Sequence, residues 1–140
     1  MKILIADDEK IMLKIIELRL KKDGHEVIVT SNGEEALEQI KLQDPDMIIA
    51  DIMMPFTSGL EIVSVVKHGG LYRKVPIIIL SSMGQENVVL EAFNLGADDY
   101  ITKPFSPHEL SMRVKRLAPA TSLFVSADDK MVQGKKISDR

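Results

Sequence analysis

The chain has 140 residues, 45% of them apolar, enough to bury one core. Its 18 basic and 21 acidic residues give a formal charge of -3, so the overall balance offers no electrostatic ground for binding nucleic acid or an anionic membrane. With no cysteine there are no disulfides or thiolate metal sites, and no stretch approaches the roughly 20 apolar residues of a membrane helix, so a cytoplasmic protein is expected.

From the N-terminus, the apolar run Ile3 to Ala6 reads as a strand, too short for a signal peptide, and gives way to Asp7-Asp8-Glu9. The next segment is helical, with apolar residues recurring at three or four (Ile11, Ile15, Leu18) and Gly24 where it should stop. Val27 to Val29 is a second strand, and Asn32, three positions before Glu35, reads as the N-cap of a second helix. Met47 to Ala50 is a third strand that ends at Asp51, and the helix after it should stop near Gly69. Pro76 to Leu80 is a fourth strand, followed by Ser81-Ser82 and by a helix that stops near Gly96. A weaker strand around Tyr100-Ile101 runs into Lys103-Pro104, and Ser106-Pro107-His108-Glu109 opens a last helix carrying Leu110, Val114 and Leu117.

Five alternating strand and helix pairs with almost wholly apolar strands imply an α/β fold, a doubly wound parallel sheet of five strands covered on both faces. Ala118-Pro119-Ala120-Thr121-Ser122 then reads as a linker, so residues 1–118 are expected to form the domain and 119–140 a linker or C-terminal tail.

In such a fold the functional crevice lies beyond the carboxyl ends of the strands, where the strand order reverses. The residues there are Asp7, Asp8 and Glu9, then Asp51, then Ser81, then Lys103. Asp7 or Asp8 alone could simply cap a helix. If the first and third strands are neighbours, however, three carboxylates share one crevice, and they repel unless a cation or protons intervene. A hard divalent cation such as Mg2+, held by one or two carboxylates, waters and a phosphate oxygen, resolves that repulsion. Asp51 is the better nucleophile candidate, since it ends a central strand and aspartate carboxylates form acyl phosphates. Lys103 is either a solvated loop charge or a point-charge phosphate binder at the rim, and Ser81 either a helix cap ahead of Gln85-Glu86 or a hydroxyl donor.

The spacing of these groups resembles the receiver domain of two-component response regulators, over about residues 1 to 118. Asp51-Ile52-Met53-Met54-Pro55-Phe56-Thr57-Ser58-Gly59 is similar to the family's phosphoacceptor loop, and Asp98-Asp99-Tyr100-Ile101-Thr102-Lys103-Pro104-Phe105 to its fifth-strand signature. The resemblance implies a flavodoxin-like sheet of order 2-1-3-4-5 and a phosphoryl group accepted on Asp51 from a sensor histidine kinase or histidine phosphotransfer domain. It implies Mg2+, or Mn2+, held by Asp8, Asp51 and the Met53 carbonyl, with Asp7 completing the acidic pocket. Ser81, Tyr100 and Lys103 then take the switch and phosphate-binding positions, with a cis bond before Pro104. It further implies a signalling switch rather than an enzyme, no direct nucleic-acid binding by residues 1–118, no membrane contact, and a candidate homodimer surface on the helix 4 to helix 5 face.

Three other functions fit less well. An aspartate-nucleophile phosphatase wants a second aspartate two residues on, where Met53 stands, and a flavin or nucleotide binder wants a Gly- or Ser-rich loop where Asp7-Asp8-Glu9 would repel phosphate. A receiver-like scaffold without phosphorylation would have little use for Asp8, Asp51 and Lys103 together.

Overall fold

In a computed structural model, described over residues 1–69 and 74–118, five strands alternate with five helices. In chain order they are β1 (Lys2–Ala6), α1 (Lys10–Lys22), β2 (Glu26–Thr30), α2 (Gly33–Gln43), β3 (Met47–Asp51), α3 (Gly59–Lys67), β4 (Ile77–Ser81), α4 (Glu86–Leu95), β5 (Asp99–Thr102) and α5 (Pro107–Leu117). The sheet is parallel throughout, in the order β2-β1-β3-β4-β5. This is the doubly wound arrangement expected of near-continuous apolar strands, since burial on both faces removes any need for alternation with polar residues. No described helix is long and apolar enough to cross a membrane.

Each buried strand divides its side chains between two cores, because successive residues point to opposite faces. Ile3, Ile5, Met47, Ile49, Ile78, Leu80 and Ile101 face α1 and α5, where Leu13, Ile16, Leu20, Leu110 and Val114 meet them. Leu4, Ala6, Ile48, Ala50, Ile77 and Ile79 face the other way, onto α2, α3 and α4. β3 and β4 are buried at every position, so Asp51, the last residue of β3, ends a central strand and is itself largely buried.

The helix boundaries follow local chemistry. Asn32 caps α2, its side chain accepting the Glu35 N–H at 2.8 Å, and Ser106 does the same for α5 with Glu109, ahead of Pro107 in the first turn. Ser58 and Glu61 form a reciprocal capping box on α3. Gly96 ends α4 in the left-handed region at φ 117°, where a side chain would be strained.

The apolar spacing on α1 marks a helix, as observed, but not its buried face. Ile11, Ile15 and Leu18 are exposed, and the helix packs through Leu13, Ile16 and Leu20 instead. α1 carries two apolar stripes, and periodicity alone does not say which one faces the sheet. On α5, with a single stripe, Leu110 and Val114 are buried as the spacing indicates.

Candidate functional site

β1 and β3 lie side by side, with Ala6 opposite Ala50, so the residues that follow them emerge together at one end of the sheet. Asp7, Asp8 and Asp51 form the resulting cluster, each with a potential ligand atom within 4.8 Å of the others'. Asp7 is fully buried, Asp51 is 7% exposed and Asp8 faces solvent. This is a graded acidic pocket, floored by two buried carboxylates and open on one side.

Backbone N–H groups hold two of the carboxylates in place. Asp7 Oδ1 accepts the Glu9 N–H at 2.9 Å, and Asp51 Oδ1 accepts the Met53 N–H at 3.1 Å. Gly59 lets α3 begin directly against this strand end, because a Cβ there would lie 2.5 Å from the Asp51 carbonyl oxygen and 2.8 Å from Ile52 Cα. Between Asp51 and Gly59 the chain turns through Phe56, which holds φ 68° and is 86% exposed. Left-handed backbone in a bulky residue costs about 1–2 kcal/mol.

Lys103 directly follows β5 and is joined to Pro104 by a cis peptide bond. Its Nζ lies 2.7 Å from Glu9 Oε1, 2.9 Å from Asp7 Oδ2 and 3.0 Å from Asp51 Oδ2. Burial penalises this ammonium, but its close contacts with the carboxylates of Glu9, Asp7 and Asp51 outweigh it, so Lys103 is pushed well above the ordinary lysine range. Asp7 is raised, chiefly by burial and further by the Asp51 charge, against the Glu9 N–H and Lys103, which pull it down.

Asp7 Oδ2 is buried and, among the described residues, has no partner in full hydrogen-bond geometry, although Lys103 attracts it at 2.9 Å. An acceptor left short in a pocket of clustered carboxylates fits a hard cation, whose preferred ligands are carboxylate oxygens. The residues present therefore suit Mg2+, with Asp7, Asp8 and Asp51 the available side-chain oxygens.

Ser81 ends β4 beside Thr102 and is buried. α4 begins only at Glu86, and its N-cap residue is Gln85, so Ser81 does not cap that helix. Tyr100 is 41% exposed, its ring edge-on to Phe93 at 5.8 Å between centroids. Between Tyr100 and Ser81 lies an open cleft of about 340 Å³, walled by Val89, Leu90, Phe93 and Thr102. Of the residues singled out from sequence, the structure joins Asp7, Asp8, Asp51 and Lys103 in one contact network and places Ser81 and Tyr100 in the lining of one cleft. Glu9 had no role assigned from sequence, yet it makes the shortest contact with Lys103.

The response regulator receiver domain model matches residues 3–115. This chain belongs to the response regulator receiver family. It is 39% identical over 116 residues to the alkaline phosphatase synthesis transcriptional regulatory protein PhoP of Bacillus subtilis, which covers 83% of this chain and 48% of that protein. The phosphate regulon transcriptional regulatory protein PhoB of Pseudomonas aeruginosa is 40% identical over 119 residues, 85% of this chain and 52% of that one. The chain thus spans about half the length of these curated relatives. Among solved structures, the receiver domain of Francisella response regulator 1452 superposes with a TM-score of 0.76 at 35% identity, covering 83% of this chain and 94% of that one. Receiver domains are signalling switches that are phosphorylated on aspartate, interact with histidine kinases and bind Mg2+ at an acidic cluster.

Proposed function

We propose that Asp51 is the phosphoacceptor, that Asp8, Asp51 and the Met53 carbonyl hold Mg2+ with Asp7 completing the pocket, and that Lys103, Ser81 and Tyr100 pass the change onward. The observation that carries this reading is the Lys103 ammonium 3.0 Å from Asp51 Oδ2, at the mouth of a cluster of three aspartate carboxylates.

Asp51 suits the acceptor role by position. One of its oxygens is fixed by the Met53 N–H and the other faces Lys103, so the carboxylate is oriented before a donor arrives. A divalent cation supplies neutralisation of the charge on the transferred group. Lys103 contributes a second positive charge, and Ser81 a hydroxyl from the neighbouring strand end. Movement of Ser81 toward a phosphoryl group would open the cleft into which the half-exposed Tyr100 ring can turn. The chain's own chemistry is limited to gaining and losing this phosphoryl group.

The donor is a phosphohistidine on a sensor kinase or a histidine phosphotransfer domain. PhoP and PhoB are transcriptional regulators by name, and residues 1–118 are read as the input half of such a protein, without direct nucleic-acid contacts of their own. The boundary near residue 118 follows α5, which ends at Leu117 with Ala118 as its C-cap, while the expected tail of 119–140 lies outside the described residues. The face formed by α4 and α5 is the candidate surface for a second copy.

Acetyl phosphate with Mg2+ should add one phosphoryl mass to the wild-type chain, and EDTA or Asp51→Asn should abolish it. Full labelling of Asp51→Asn in an intact-mass measurement would show that the acceptor lies elsewhere.

A further inference from the structure

Three carboxylates surround the Lys103 ammonium, but they differ in what becomes of them when the site is loaded. Asp7 and Asp51 belong to the acidic trio that a cation would draw on; Glu9 does not. Phosphorylation of Asp51, in which its carboxylate oxygen bonds the phosphorus as the donor's P–N bond breaks, removes that carboxylate's charge and replaces it with phosphoryl oxygens. Asp7 and Glu9 then remain as original partners, and of the two only Glu9 lies outside the acidic trio, on the solvent side, where it can hold Lys103 away from the phosphoryl oxygens.

Glu9 is built to make this contact. It occupies the N-cap position of α1 with extended backbone, its carbonyl accepts the Leu13 N–H at 3.0 Å, and its own N–H is tied to Asp7 Oδ1. An acidic side chain here would ordinarily turn toward the free N–H groups of its own helix. It makes no such cap, α1 has no other acid in its first turn, and the carboxylate reaches across 94 residues of sequence to Lys103 at 2.7 Å. The backbone is fixed, whereas the side chain is 61% exposed and free to let go.

We infer that Glu9 is a positioning residue that holds Lys103 in the unphosphorylated chain and competes with the phosphoryl group for its ammonium. This rests on the reading of Lys103 as the phosphoryl-binding lysine. Loading the site exchanges one ion pair for another: Lys103 leaves Glu9 and takes phosphoryl oxygen, and Glu9 returns to water. The contact is charge-assisted but half in solvent, so it biases the switch without locking it.

The test uses the full chain and beryllofluoride with Mg2+ as phosphoryl mimic, with affinity read from amide shifts in NMR titrations. Glu9→Gln should tighten binding about two- to fivefold, the range an exposed ion pair supports. Glu9→Asp retains the charge but falls short of Lys103, and it should tighten binding as well. In the metal-free chain, the Lys103 Cε resonance should move in both variants, which a merely structural role for Glu9 would not produce. Equal or weaker beryllofluoride binding in Glu9→Gln, or tightening in Glu9→Gln with none in Glu9→Asp, would overturn the inference. Failure of the wild-type chain to bind beryllofluoride would instead overturn the phosphoacceptor reading, and this inference with it.

Discussion

Two charge clusters flank β5, and they are balanced in opposite senses. At one end, Asp7, Glu9 and Asp51 converge on the single cation of Lys103, with Asp8 alongside. At the other, the single buried carboxylate of Asp99 receives two cations, Arg113 at 2.8 Å and Arg116 at 2.5 Å. The Asp99 cluster satisfies both oxygens and also ties Arg113 to Glu109 and to the Tyr100 carbonyl. The Lys103 cluster leaves a buried oxygen short and negative charge in excess. A cluster that closes on itself is a staple; one that does not is waiting for a ligand. The difference lies in charge count and satisfaction, not in burial, since Asp7 and Asp99 are both buried.

The comparison predicts opposite signs when a carboxylate is removed from each side, and the larger effect belongs to the staple. Asp99→Ala should destabilise the domain by about 2 kcal/mol, below the 3–5 typical of a broken buried pair, because the arginines are 32% and 62% exposed and keep part of their hydration. Urea midpoints measure this directly. A change within 0.5 kcal/mol would mean that Asp99 is no staple.

Supplying the missing cation should act only on the other cluster. At about ten times its Kd, Mg2+ should stabilise the wild-type chain by about 1.4 kcal/mol and Asp99→Ala by the same amount. Asp8→Ala should lose most of that gain at the same concentration. Undiminished stabilisation in Asp8→Ala would remove Asp8 from the metal's ligands. In metal-free buffer, Asp51→Asn should raise stability by about 1 kcal/mol, because relief of carboxylate repulsion outweighs one lost contact to Lys103, which keeps two others. Destabilisation by Asp51→Asn would mean that the pocket is already balanced without a cation.

Much of this was legible from sequence, for reasons that also mark where reading stopped. The central strands β1, β3 and β4 announced themselves because burial on both faces leaves them almost wholly apolar, whereas the edge strand β5, with alternating burial, gave the weaker signal; the residue after each strand then had to lie at the crevice. Asp7, Asp8, Asp51 and Lys103 were found by that logic. Glu9 was in view as part of the acidic run, but its reach to Lys103 depends on a rotamer and on the placement of β5, neither of which has a local signal. The period of Ile11, Ile15 and Leu18 marked α1 as a helix but not its buried face, because Leu13, Ile16 and Leu20 keep the helical period equally well. The left-handed Phe56 was invisible for a different reason: sequence marks such positions through Gly, Asn or Asp, and here the chain uses none of them.

The smallest expected effect is the dependence of this imbalance on pH, and its sign separates the two states of the pocket. Burial and Asp51 raise Asp7 above its unfolded value, so in the metal-free chain the folded state holds its proton more tightly than the unfolded state does. Stability therefore rises as pH falls from the folded pKa toward the ordinary aspartate range, the reverse of a carboxylate stabilised by its partners. Asp7→Asn should consequently be slightly more stable than wild type at pH 7 in EDTA, by less than about 1 kcal/mol, with an advantage that shrinks as the pH is lowered. Bound Mg2+ favours ionised carboxylates, so in saturating Mg2+ the wild type should become the more stable of the two and lose that lead as the acids are protonated. Lys103 does not confuse the measurement: its raised pKa contributes stability that is complete below the ordinary lysine value and is lost only as pH rises through the folded one. Urea midpoints of both chains between pH 5 and 8, with EDTA and with Mg2+, give the two slopes. An Asp7→Asn advantage that grows toward low pH in EDTA would mean that Asp7 is stabilised as a charge, and that the pocket closes on itself as the Asp99 cluster does.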